Sequence, residues 1–166
     1  MPVAPAAPDI FTLDSTGAGQ AAVLNQDNSA NGPTQPAVRG SVIQIFATGI
    51  AVAGAVTGSV TLAAAPGSTD AVSVAIGGTA ARIIYAGPAP GEVAGVIQVN
   101  AVVPDIAPTG PAVPIVLSVS PPQGPLQPII YASQAGATIA VQSATPVRIL
   151  QVAPASLLLT KTTATT

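Results

Sequence analysis

Asn25, Asp27, Asn28 and Asn31 crowd four oxygen-bearing side chains into one short stretch, and oxygen is the donor type that a Ca²⁺ ion takes. Only one of the four is a carboxylate, and no acidic residue closes the set. The spacing therefore reads better as a turn whose Asn and Asp side chains bond their own backbone. Asp9 and Asp14 are a second pair to weigh, for general acid and base work. They fall at strand and turn positions with no base beside them, which favours solvated carboxylates. Arg39 precedes a strand and Arg82 lies in a hairpin, and either has Asp70 or Glu92 as a candidate ion-pair partner. Lys161 with an Asn would suit an isopeptide crosslink only beside a buried acid, and nothing near it supplies one. The glycines at Gly77-Gly78 and at Gly17 and Gly19 precede no helix that would receive a phosphate, so they read as turn glycines.

The rest of the composition narrows the chemistry further. The 166 residues include no His, Cys or Trp, so the groups that most often move protons, attack carbonyls or hold transition metals are missing. The expectation is a protein that is not an enzyme, with no catalytic, metal or cofactor-binding residues. A net charge of −2, with Arg39, Arg82, Arg148 and Lys161 scattered singly, offers no basic stripe for nucleic acid. Val42 to Ala65 is free of charge and long enough to span a bilayer, but Gln44, Thr48, Thr57, Ser59 and Thr61 make it two strands around a turn rather than a membrane helix. Met1 to Ala7 shows no basic segment followed by an apolar run, so no signal peptide is visible there. The aromatic residues are Phe11, Phe46, Tyr85 and Tyr131. With Phe46 assigned to the core, few remain to stack on sugars, although Asn, Gln and Thr can still bond hydroxyls.

Small aliphatic and β-branched residues must build the core, and they suit sheets. Strands are predicted at Gln20 to Leu24; at Ser41 to Thr48, apolar on both faces; and at Val56 to Leu62, with Val56, Gly58, Val60 and Leu62 in phase. A hairpin is predicted from Val72 to Tyr85 around Gly77-Gly78. Further strands are predicted at Val96 to Val102, Val113 to Val119 and Ala137 to Val141. With 18 prolines and 16 glycines interrupting any helical spacing, the class is all-β.

Several segments carry a resemblance. Pro8 to Asp14, Gly17 to Asp27, Asn31-Gly32-Pro33, Arg39 to Val42 and Ala47-Thr48-Gly49, followed by Val72 to Gly78, Tyr85-Ala86-Gly87, Ala89-Pro90-Gly91, Gln98-Val99-Asn100 and Ala107 to Gly110, resemble the Solibacter-type uncharacterised C-terminal domain of secreted and surface proteins of Acidobacteria. The match runs from about Pro5 to Val141. Its second half is also similar to immunoglobulin-like modules of the IPT/TIG type. The resemblance implies an extracellular or cell-surface, immunoglobulin-like antiparallel β-sandwich with no known catalytic residues. The family usually has an earlier immunoglobulin-like module before the Pro-x-Ile-Phe-Thr segment, whereas this sequence begins almost at that segment.

The expected organisation is a Pro/Ala-rich arm (1–8), a sandwich (9–142) with an insertion at 120–132, and a strand-like extension (143–166). In the extension, Val147, Ile149, Leu150, Val152, Leu157, Leu158 and Leu159 make a candidate assembly strand. They either complete the chain's own sheet or, as the 1–8 arm could instead, add to a neighbour's, and a head-to-tail addition that does not close gives filaments. The functional expectation is a non-catalytic structural subunit that associates with copies of itself. The alternative is a monomeric spacer, or a carbohydrate- or protein-binding module, with its ligand on the loops at Asn25 to Pro36 or Gly87 to Gly95.

Overall fold

The computed structural model describes residues 4–52, 56, 58–64, 67–68, 70–122 and 129–144. Eleven strands form among them: β1 (Asp9–Ile10), β2 (Gly19–Gln20), β3 (Val23–Leu24), β4 (Ala37–Val38), β5 (Val42–Thr48), β6 (Ala71–Ile76), β7 (Thr79–Pro88), β8 (Ile97–Val102), β9 (Gly110–Ser120), β10 (Tyr131–Ala132) and β11 (Ala137–Gln142). The all-β class expected from composition is present, and no helix among the described residues is long and apolar enough to cross a membrane.

The strands join one curled sheet in the order β1-β5-β8-β7-β6-β9-β11-β2, with β3 on β5, β4 on β11 and β10 on β9. Most pairings are antiparallel, while β2 and β4 lie parallel to β11. A single bridge, Thr12 to Ala21, brings the two ends of this path together. The curl encloses one apolar cluster, in which Ile43, Ile45, Ile76, Ile97, Val99, Ile115, Leu117 and Ile139 are fully buried. Each such side chain contributes about 1.5–3 kcal/mol by leaving water.

The Val72 to Tyr85 hairpin forms as its Gly-Gly turn requires. Gly77 and Gly78 take φ of 57° and 79°, the positive pair that matches a two-residue turn to the twist of its strands. Predicted strand 20–24 divides instead: β2 pairs with β11, whereas β3 pairs with β5. Strand β5 buries one face only, with Ile43, Ile45 and Ala47 in the core and Val42, Gln44, Phe46 and Thr48 half-buried on the outer face. Phe46, assigned to the core by its apolar character, lies half-buried on the outer face.

The Val56 to Leu62 strand is not present as expected. Val56, Val60 and Leu62 are 66%, 51% and 92% exposed, and among the described residues of this segment only Val60 makes a bridge, to Val93. Ser59 closes a turn on the Val56 carbonyl and Gly58 takes φ of 80°, so the chain bends where the strand was to run. The alternation is real, but no sheet receives its apolar side. At the N-terminal end, Ala6 is buried in the core and the Ala7 N–H donates to the Gly49 carbonyl at 3.1 Å, so this part of the expected arm packs on its own chain.

Candidate functional site

The Asn25 to Asn31 loop is a closed turn. The Asn25 N–H donates to the Ser29 carbonyl at 2.8 Å and the Asn28 N–H donates to the Asn25 carbonyl at 2.9 Å. Asn28 sits at φ of 63°, a left-handed conformation that Asn tolerates better than most residues. Asp27 Oδ1 accepts from the Ser29 N–H at 3.0 Å and from its hydroxyl at 2.6 Å. The Ser29 hydroxyl, then its N–H, holds the Asp27 carboxyl below the usual aspartate range. Asn25 Oδ1 accepts from Asn31 Nδ2 at 2.9 Å, while Asn25 Nδ2 donates to the Ser29 hydroxyl and the Gln35 carbonyl. These side chains spend their hydrogen bonds on the chain itself, and among the described residues they form no convergent acidic set for a metal ion.

Asn31 is the pivot of this arrangement. It is 1% exposed, its Oδ1 accepts from the Ala140 N–H at 2.8 Å, and its Nδ2 donates to the Ala140 carbonyl at 2.9 Å. Gly19, Ala21 and Arg39 donate their N–H groups to the carbonyls of Gly136, Thr138 and Gln142. One side-chain amide thus stands in for the strand residue missing between β2 and β4, and β11 gains a composite neighbour along its length. Gln134 acts alike at the other end of the sheet. Its Oε1 accepts from the Ile10 N–H at 2.9 Å and its Nε2 donates to the Ile10 carbonyl, capping β1. Sequence reading missed both roles, since an isolated Asn or Gln in a loop gives no sign of a partner so distant in the chain.

Asp9 and Asp14 serve separate turns. Asp9 Oδ1 accepts from the Gln134 N–H at 3.2 Å. Asp14 Oδ1 accepts from the Thr16 N–H and hydroxyl, whose backbone and then side-chain bonds lower its pKa. Among the described residues, neither Arg39 nor Arg82 forms the ion pair considered for it with Asp70 or Glu92. Asp70 is buried and accepts from the Ala51 N–H at 3.3 Å, Arg82 stands exposed on β7, and Arg39 Nε is buried without an acceptor. Lys161, Arg148 and the candidate assembly residues Val147, Ile149, Leu150, Val152, Leu157, Leu158 and Leu159 lie outside the described residues.

Two surfaces remain to be considered for binding. A cleft of about 600 Å³ opens beside the loop, lined by Asn25, Asp27, Ser29, Thr34, Gln35 and Gln142 among others. On the outer face of β5 and β8, Gln44 Nε2 donates to Asn28 Oδ1 at 2.9 Å, and Gln98 Nε2 donates to Gln44 Oε1 at 3.2 Å and to Asn100 Oδ1 at 2.8 Å. Gln44 is opposite Asn100 and Phe46 opposite Gln98 in the ladder, so these four side chains share one face. The Phe11 N–H donates to the Phe46 carbonyl at 3.0 Å, which places Phe11 on the adjoining position. The signal that would have found this row is the set of polar residues at alternate positions of β5 and β8.

Compared with models of protein families, with curated proteins and with solved structures, the chain matches none.

Proposed function

We propose that this chain is a non-catalytic structural module of a bacterial cell surface, an immunoglobulin-like sandwich in variant form, which associates with copies of itself by strand addition at β10. The observation that carries the reading is how unevenly the sheet edges are protected. Asn31 completes the neighbour of β11, Gln134 caps β1, and β8 is paired on both sides. The first half of β6 lacks a partner on its β7 side among the described residues, and carries the small residues Ala71 and Ser73.

Strand β10 differs in character. It pairs with β9 on one side, Tyr131 opposite Val119 and Ala132 opposite Ser118. Among the described residues nothing pairs with its other side. The Ser133 N–H donates to the Leu117 carbonyl at 2.8 Å. By the alternation of an antiparallel ladder, Ile130 and Ala132 then turn their N–H and C=O groups outward. Ile129 and Ile130 are exposed beside them, where soluble proteins commonly place a Lys or Pro on an open edge.

The donor is the segment containing Val147, Ile149, Leu150 and Val152, whose alternation matches what an added strand needs. Low charge favours the contact, since the chain has few charged groups to desolvate. Negative-stain microscopy with light scattering tests this reading. Filaments or large particles are expected from the full chain. Species of 16.0 kDa are expected from Ile130→Lys, and monomers also from a chain lacking residues 143–166. A monomeric full chain at every concentration, or assembly that persists in both variants, overturns it.

A further inference from the structure

We infer that the outer face of β5 and β8, with Phe11 and Asn28 at its margins, binds an uncharged oligosaccharide, independently of any self-association. A hydroxyl both donates and accepts a hydrogen bond, so a surface that recognises sugars must offer both kinds of group, held in place. The amide row does so. Gln98 Nε2 is committed to Gln44 and Asn100, which leaves Gln98 Oε1 as an acceptor and Asn100 Nδ2 as a donor. Asn28 accepts from Gln44 through Oδ1, which leaves its Nδ2 free at the end of the row. Each amide fixes the orientation of the next, so little side-chain freedom is lost when a ligand arrives.

The apolar part of the site stands beside the polar part. Ile10 is buried while Phe11 is 41% exposed, so Phe11 faces outward next to Phe46. Phe46 in turn lies opposite Gln98. The apolar C–H face of a pyranose ring needs such a surface, and an aromatic ring offers it at low conformational cost. This is the aromatic residue that the sequence had placed in the core; its outward position restores the stacking partner that a sugar site requires.

Charge selects the class of glycan. Asp9 lies at one margin of the face, opposite Thr48, and Arg82 at the other, opposite Val102. The row between them is neutral throughout, with the Arg82 cation only at its edge and the Asp9 carboxylate at the opposite edge, so the amides themselves offer no partner to a uronic acid or a sulfate. A chain of neutral hexoses or pentoses, lying across two strands, satisfies the amides and the phenyl rings without burying a charge.

Affinity electrophoresis tests this, with the chain run through gels containing hydroxyethyl cellulose, xylan, dextran or laminarin, and alginate as the charged comparison. Retardation by at least one neutral polymer is expected. Phe11→Ala and Asn28→Ala, both changes at exposed positions, should each weaken it about tenfold. Asn100→Ala should do the same with the far-ultraviolet circular dichroism unchanged. Ile130→Lys, which lies outside the amide row, should leave it intact. No retardation by any neutral polymer, retardation by alginate alone, or binding indifferent to Phe11→Ala and Asn28→Ala overturns the inference.

Discussion

Asn31 and Ala140, 109 positions apart in the chain, exchange two hydrogen bonds through a single side-chain amide. The ladder between β9 and β11 shifts register between Ile139 and Val141, so Ala140 lies at an irregularity where its N–H and C=O turn away from β9. Buried backbone groups left unpaired are costly. The Asn31 amide presents Oδ1 and an Nδ2–H on the same side, as one residue of an extended strand presents its C=O and N–H, and so it replaces the missing residue of a neighbouring strand. The relationship ties the early loop to the last described strand and closes an edge that would otherwise invite pairing with another chain.

Removing the amide should therefore cost more than one surface hydrogen bond. Asn31→Ala leaves the Ala140 N–H and C=O unpaired in a buried place, at about 1–3 kcal/mol for each unsatisfied group. A loss of about 2–4 kcal/mol is expected in urea unfolding, on the same basis and allowing for partial relaxation. Asn31→Asp should also destabilise at neutral pH, since it removes the donor and sets a carboxylate against the Ala140 and Asn25 oxygens. Unfolding midpoints equal to wild type for both variants would show that Ala140 finds other partners.

Gln134 makes the same kind of bond to Ile10, but at a part-buried position. Gln134→Ala should therefore cost about 1 kcal/mol, because water can reach the freed groups. Hydrogen exchange supplies the local check, with the Ile10 amide losing protection while the amides of β8 keep theirs. Equal loss across the whole sheet would mean that the cap supports global folding rather than the β1 edge.

What could be read in the sequence was what is local. The hairpin around Gly77-Gly78 follows from two adjacent glycines between two β-branched runs, and the ladder confirms it, Val74 opposite Ala81 and Ile76 opposite Thr79. The Val56 to Leu62 alternation was equally regular, yet alternation states only that one side is apolar, not that a sheet stands ready to cover it. Phe46 was misplaced for a related reason. Its neighbours Ile45 and Ala47 are buried, and an aromatic between them in a nearly all-apolar run does not declare its face. The amide row needs two strands in register, and the Gln134 to Ile10 contact spans 124 positions. No spacing rule within one segment reaches that far.

The two turn glycines should respond differently to substitution. A Cβ on Gly77 would lie 2.1 Å from Pro108 Cγ, whereas one on Gly78 would meet nothing within 4 Å. Both positions have positive φ, which Asn accepts more readily than Ala. Gly78→Asn should thus change stability by less than about 1 kcal/mol, while Gly77→Asn should cost clearly more because the proline ring or the turn must shift. Thermal unfolding of the pair measures the difference, and equal midpoints would mean that the 104–109 loop yields without cost.

Asp27 gives the expected pH response of the loop. Its pKa is lowered in the folded chain by the Ser29 hydroxyl and N–H. A group whose pKa is depressed by folding contributes stability above its unfolded value, and that contribution is lost as the pH falls through the folded value. The Asn25 to Ser29 turn should therefore loosen only in acid, with the Ser29 amide resonance titrating at a midpoint below 3.8, the ordinary aspartate value. Ser29→Ala removes the larger cause, the side-chain bond, and should move the midpoint upward. Asp27→Asn should abolish the titration at Ser29 altogether. A wild-type midpoint at or above the ordinary value would show that the carboxylate does not hold the turn in solution, and the cleft beside it would then lack the fixed wall that Asp27 and Ser29 provide.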